Sequence, residues 1–206
     1  MIFDARFSIV AGAISQIENR ESKIQNPSFA AVLLAGGGST RMGRDKALLP
    51  LPDGRLLWQR QWEILLSLSP NQCLISGYFR EGFPKESVVA DPQPGLGPLA
   101  GVAAALGAVD APFLLVLAVD MPAMTAEFLS CLLGVGSGVV PCRGGWFEPL
   151  AAVYPKAALP IAEACLKTSD RSLQTFVRRL LEAGLVNVID IPPEKDHLFA
   201  NWNKAS

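Results

Sequence analysis

The sequence has one histidine, His197, only two tyrosines, and charged residues at just 18% of its positions. A single histidine excludes a histidine-based metal cluster. Its polar setting near the end of the chain reads as surface rather than as a general base. The four cysteines, Cys73, Cys131, Cys142 and Cys165, include no C-x-x-C pair. Their neighbours are mostly apolar, so they read as buried thiols of a reducing, cytoplasmic protein, and no zinc site is expected. No apolar run approaches the roughly 20 residues that span a bilayer. The formal net charge is -1, so no global field favours nucleic acid or an anionic membrane. Any anionic substrate has to be held by a local site. Near the start, Phe7 to Ile14 is apolar, and Ala11-Gly12-Ala13 looks like a signal-peptidase site. The run is short, however, and Asp4 sits where a basic region belongs, so a signal peptide is not expected.

What is present is a chain of 206 residues, half of them apolar. That suits one domain with a full core. Residues 1–28 read as an N-terminal extension and 29–206 as the domain. Within it, short apolar runs alternate with longer amphipathic ones. Ala30 to Leu34, Gln72 to Ser76, Val88 to Ala90, Phe113 to Val119, Val139-Val140, Leu150 to Tyr154 and Leu185 to Ile191 read as strands. Leu56 to Leu68, Gly97 to Val109, Ala126 to Leu133 behind a Thr125 cap, Pro155 to Lys167 and Ser172 to Ala183 read as helices. Phe113 to Val119 is uninterruptedly apolar, the mark of a central parallel strand covered on both faces. The alternation predicts a three-layer, Rossmann-like α/β fold with a mostly parallel sheet. In such sheets ligands sit beyond the carboxyl ends of the strands. Three strand ends are thereby singled out: the glycine loop after Leu34, Asp91 after Val89-Ala90, and Asp120 after Val119.

The loop Leu34-Ala35-Gly36-Gly37-Gly38-Ser39-Thr40-Arg41-Met42-Gly43 carries most of the chemistry. Its glycines let the backbone approach an anion closely, and successive N–H groups can form an anion-binding nest. Arg41 and Lys46 add two cations, which suits a triphosphate and its developing charge. A Walker loop does not fit. The dinucleotide fingerprint would place Arg41 at its third glycine, so an oxidoreductase is disfavoured. Asp120, at the end of the most apolar strand, needs a partner for its charge. A magnesium ion bridging phosphates suits it, because Mg²⁺ favours one or two carboxylates plus phosphate oxygens. The run Pro92 to Gly101 after Asp91 reads equally as a plain turn or as a wall of a nucleotide or acceptor pocket.

LLAGGGSTRMGRDKALLPL, DPQPGLGPLAGV and LAVDMPAM resemble, in that order, the signature motifs of the molybdenum cofactor guanylyltransferases. FEPLAAVYP and Asn201-Trp202-Asn203 extend the resemblance, which spans residues 29 to 203. It implies a nucleotidyltransferase that moves GMP from GTP to the phosphate of molybdopterin and releases pyrophosphate. It also implies that Leu34, Ala35, Gly36, Gly37 and Lys46 bind GTP, with Asp91 and Asp120 in the same site. Asp120 would hold Mg²⁺, Arg41 and Gly43 would shape the phosphate loop, and Arg41, Lys46 and Asp120 would act in catalysis. Asn201 and Asn203 would lie near the nucleotide or the pterin. The implied partners are GTP and molybdopterin, with room for transient contacts with other molybdenum cofactor proteins. Cytidylyltransferases of the same pterin resemble this chain but usually read L-A-A-G where it has Leu34-Ala35-Gly36-Gly37, so GTP is expected over CTP. Three departures stand out. Ser76 falls where the family often has an asparagine, the terminal motif stops at Asn203-Lys204-Ala205-Ser206, and the extension precedes a strand that usually opens the chain. A relative acting with CTP or on another phosphorylated acceptor, and a nucleotide-binding protein without catalysis, are the competing readings.

Overall fold

The structure, a computed structural model, describes residues 27–36, 45–90 and 95–202. Strand β1 (Phe29–Leu34) is fully buried and alternates between two cores. Phe29, Ala31 and Leu33 face one core; Ala30, Val32 and Leu34 face the other. It is flanked by β2 (Gln72–Ser76) and β4 (Phe113–Ala118), both parallel to it. The short β3 (Val88–Val89) pairs parallel with β2. Beyond β4 lie β7 (Ala151–Pro155), β5 (Val139–Arg143) and the hairpin strand β6 (Trp146–Phe147), giving the order β3-β2-β1-β4-β7-β5-β6. Strand β8 (Asn187–Asp190) adds to β5 in parallel.

Five α-helices among the described residues cover the sheet. On one face pack α1 (Leu57–Ser67) and α3 (Ala126–Gly134), with the 3-10 segment Pro193–Phe199. On the other pack α2 (Pro98–Ala108), α4 (Leu159–Leu166) and α5 (Leu173–Glu182). Local sequence explains where they start. The Thr125 hydroxyl accepts from the Phe128 N–H at 3.3 Å, and the Ser172 hydroxyl from the Thr175 N–H at 3.2 Å. Each cap satisfies a backbone donor that the first turn leaves open. In α5 the buried positions Leu173, Phe176, Val177 and Leu180 recur at helical spacing.

The layers and the parallel block β3-β2-β1-β4 agree with the expected α/β fold. The neighbours of β4 correct one expectation: it is parallel to β1 but antiparallel to β7. A continuous apolar run reports burial on both faces and carries no signal for the direction of the adjacent strand. Strand β6 was not expected, because two residues after a Gly144-Gly145 turn make no period. The Pro155 to Lys167 helix opens as a 3-10 turn, Lys156–Ala158, before α4 proper. The N-terminal extension, with the Phe7 to Ile14 run, falls almost wholly outside the described residues. Among those residues no helix is long and apolar enough to cross a membrane.

Candidate active site at the carboxyl ends of β1 and β4

Parallel β1 and β4 are in register from Phe29↔Phe113 to Leu34↔Ala118, so their carboxyl ends finish side by side. The Val119 N–H donates to the Leu34 carbonyl at 3.1 Å and extends the pairing one residue beyond the strand. On the other flank the Ala35 N–H donates to the Ser76 carbonyl at 3.0 Å. Gly36 then lies directly against Gly77. A Cβ on Gly77, whose φ is +139°, would stand 2.8 Å from the Gly36 nitrogen. Glycine is required there both by the backbone angle and by the close approach.

Lys46 is carried by a short 3-10 turn, Lys46–Leu48. The Asp45 Oδ1 accepts from the Ala47 N–H at 3.1 Å and caps this turn. From it the Lys46 Nζ reaches the Asp120 Oδ2 at 3.3 Å. Both side chains are partly exposed, 24% and 22%. The position of Asp120 is set on three sides. Its carbonyl accepts from the Trp202 N–H at 2.8 Å. The next turn is held by two side chains of α1, as the buried Gln61 amide donates to the Met121 carbonyl and Arg60 to the Met124 carbonyl. Met121 and Met124 are themselves buried and anchor the turn in the core.

Leu34, Gly36, Lys46, Pro98, Asp120 and Leu150 line a common cavity of about 290 Å³, together with Ala35 and Asp45. Pro98 opens α2, after Gly97 at φ 81°. The amino-terminal end of that helix, with its partial positive charge, therefore borders the same space. A larger cavity of about 480 Å³ lies between α2 and α4, but Ala100, Ala103, Ala104 and Leu159 dominate its wall. Paired opposite charges at strand ends, rather than volume, identify the reactive site.

Of the residues singled out from the sequence, the fold brings together Leu34, Ala35, Gly36, Lys46 and Asp120. Gly37, Arg41, Gly43, Asp91 and Asn203 lie outside the described residues. Asn201 is exposed and does not line the cavity, but Trp202 beside it docks on the Asp120 carbonyl. Ser76 is buried under α2, where a Cβ on Gly101 would meet its Oγ at 2.5 Å. His197 is exposed, its Nδ1 2.9 Å from the Glu194 carbonyl. Pro98, in the run Pro92 to Gly101, takes the pocket-wall reading of that run. Sequence reasoning passed over Asp45 as a cap, Gly77 as the seat of Gly36, and Leu150 as a wall. Asp45 stood within the recognised run; the roles of Gly77 and Leu150 come from chain segments far apart.

A cation fits this donor set in one way. No group of three or more metal-ligating side chains gathers among the described residues. The Asp45 carboxylate is engaged by the Ala47 N–H and Arg80. Among the described residues Asp120 is the carboxylate left to offer an oxygen to the cavity, so an ion there would take further ligands from substrate phosphates and water, the habit of Mg²⁺.

Residues 31–184 match the model of the MobA-like NTP transferase domain. A protein of Opitutus terrae described as a probable molybdenum cofactor guanylyltransferase is 41% identical over 185 residues, which cover 86% of this chain and 91% of that one. The molybdenum cofactor guanylyltransferase of Pseudomonas putida is 30% identical over 190 residues, 86% of this chain and 94% of its own. Among solved structures, the molybdopterin-guanine dinucleotide biosynthesis protein A of Archaeoglobus fulgidus superposes with a TM-score of 0.65 at 27% identity, covering 85% of this chain and 93% of that chain. Together with the strand-end geometry, these matches establish that the chain belongs to the MobA-like NTP transferase family.

Proposed function

We propose that the protein transfers GMP from GTP to the phosphate of molybdopterin and releases pyrophosphate. The observation that carries this reading is the Lys46–Asp120 pair, 3.3 Å apart where two adjacent parallel strands end. One member suits a triphosphate and the other a phosphate-bridging cation, which is what in-line transfer at the α-phosphorus requires. A phosphate oxygen of the acceptor forms the new bond to the α-phosphorus, and the bond from that phosphorus to the β-phosphate bridging oxygen breaks. The nucleophile is already ionised at neutral pH, so no strong general base is needed, in keeping with an exposed His197 that does not line the cavity. The work of the protein is positioning and charge compensation.

Lys46, with Arg41 from the glycine loop, would offset charge on the α-phosphate and the leaving pyrophosphate. Leu34, Ala35, Gly36 and Gly37 would bring backbone against the nucleotide, with Gly43 and Asp91 completing that side. Asp120 would hold Mg²⁺, which when bound supplies Lewis-acid polarisation of the phosphates. A partly exposed ion pair such as Lys46–Asp120 contributes only about 1 kcal/mol or less. Micromolar binding of a ligand releases about 8 kcal/mol. Exchanging the internal pair for phosphate and metal partners is therefore well within reach of nucleotide binding.

The acceptor would lie toward β7, β5 and β6, whose ends near Leu150 and Arg143 share this edge of the sheet. The terminal segment with Asn201 and Asn203 would close that side. Guanine over cytosine follows from Gly36-Gly37 and from the run Gly97 to Gly101, both of which resemble the guanylyl branch. Four free cysteines suit a reducing cytoplasm. The test is incubation of the protein with GTP, Mg²⁺ and molybdopterin, following pyrophosphate and the dinucleotide product. Both should appear and both should stop on chelation. Turnover with CTP and none with GTP overturns the choice of base; GTP binding without turnover on molybdopterin overturns the reaction.

A further inference from the structure

Arg80 lies in the loop after β2, outside every motif noted in the sequence, yet its guanidinium is held in three ways. Its Nε donates to the Asp45 carboxylate, one Nη donates to the Tyr78 carbonyl at 3.1 Å, and the group lies 5.4 Å from the centroid of the Phe83 ring. Phe83 is buried and packs edge-on against Trp58 of α1, with ring centroids 4.8 Å apart. The Arg80 side chain is only 12% exposed, against 35% for Asp45. The arginine is thus fixed before it meets its partner, and the pair loses little side-chain entropy on forming.

The two Asp45 oxygens have different tasks. Oδ2 takes the Arg80 Nε, and Oδ1 takes the Ala47 N–H, at the first turn of the segment that carries Lys46. A three-residue 3-10 turn has no stability of its own. Its place comes from tethers: the Asp45 cap, the Leu57 N–H on the Leu49 carbonyl at 2.9 Å, and the Pro50–Leu56 bridge. Of these three tethers, the Asp45 cap is the one on the lysine side of the turn.

We propose that Arg80 is a positioning residue for Lys46, acting through Asp45, so that the loop after β2 sets where the ammonium meets the nucleotide phosphates. The inference deepens the nucleotidyl-transfer reading and rests on it. Arg80 itself touches neither substrate nor metal. A charged group displaced by about 1 Å can lose as much as 10²-fold in rate. With two of three tethers kept, the displacement is smaller, and an effect of about tenfold is expected.

The experiment compares wild type with Arg80→Met, Asp45→Asn and the double variant, reading GTP affinity without acceptor and then KM for GTP and for acceptor separately. Arg80→Met keeps a stem over Phe83. Asp45→Asn keeps an oxygen for the Ala47 N–H and loses the ion pair. Each single variant should weaken GTP about tenfold and leave the KM for acceptor unchanged. The double variant should be no worse than the poorer single, because both changes cut one chain of contacts. Arg80→Lys, which can still pair with Asp45, should recover most of the loss. Unchanged GTP affinity in either single variant overturns the proposal. So do effects that multiply in the double variant, which would mean that Arg80 contacts phosphate directly. If Arg80→Met does not fold, Asp45→Asn alone decides, by whether the KM for GTP rises. Failure of wild type to bind GTP at all would instead overturn the nucleotidyl-transfer reading.

Discussion

The two halves of the sheet use their polar side chains differently. In the parallel half, β3-β2-β1-β4, the strand ends are joined by backbone bonds: Ala35 to Ser76, Gly77 to Val89 and Val119 to Leu34. Lys46 and Asp120 are left facing a cavity. In the other half the charged and amide groups serve the protein itself. Arg143 binds Glu148 through Nε at 2.7 Å and lies 5.5 Å from the Phe199 ring centroid. Gln174 donates to the Phe147 carbonyl at 2.9 Å and accepts from its N–H at 3.4 Å. Lys156 donates to the carbonyls of Leu106, Gly107 and Val109, which end α2. Parallel strands finish at one edge and hand their loops to a ligand, whereas the antiparallel hairpin closes upon its own neighbours. Substitutions in the first half should therefore change nucleotide chemistry before stability, and those in the second half the reverse.

The sharpest break in that comparison is Asp120→Ala. It should lower Mg²⁺-dependent transfer by on the order of 10³-fold, while circular dichroism and the unfolding midpoint stay near wild type. Unchanged turnover would remove the metal role from Asp120. Lys46→Ala comes next, with triphosphate affinity weakened and transfer slowed by about 10²-fold; normal values for both would end the phosphate-loop reading. Gly77→Ala tests whether backbone packing alone sustains the site. Its Cβ would press on the Gly36 backbone at an angle that side chains avoid, at about 1–3 kcal/mol. The KM for GTP should rise along with the loss of stability, and a rise in neither would show that Gly36 yields freely.

Lys156→Met is the converse probe. It strips the cap from α2 at the end of the sheet away from the cavity, and urea unfolding should report a loss of about 1–2 kcal/mol. The KM for GTP should not move; if it does, the two halves are coupled. The smallest effect is alkaline. Burial pushes the Cys73 thiol up to about 12 and raises the Tyr154 hydroxyl as well. Burial also raises Cys142, with the negative charge of Asp190 adding to it. These groups ionise more readily when unfolded. Stability from Cys73 is therefore whole below its ordinary value of 9.0 and declines as pH rises toward 12. Between pH 8 and pH 10 the loss from Cys73 should be about 1 kcal/mol, and Cys73→Ala should remove it from the pH profile.

Much of the parallel half was legible in sequence because its signals are local. The apolar run of β1 stops at a glycine cluster, the run of β4 stops at Asp120, and caps at Thr125 and Ser172 mark helix starts. The other half was less so. The direction of β7 beside β4 and the existence of β6 depend on pairing that no periodicity records. In the site, Lys46 stood out by the motif that continues from the glycine loop, and Asp120 by motif and by position at a strand end. Arg80 did not, because a lone arginine after a strand looks like any surface cation until Asp45 is brought to it from 35 positions earlier.

By itself the sequence determined the layered α/β architecture, the strand ends that matter and the charged residue types waiting there. These follow from periodicity, glycine and the free-energy cost of burying a carboxylate, all of which act within a few residues. The tertiary structure alone decided that Lys46 meets Asp120 across 74 positions, that Gly77 seats Gly36, and that Arg80 reaches Lys46 through Asp45. Such contacts depend on strand order and register, which the whole core sets together and no single segment encodes.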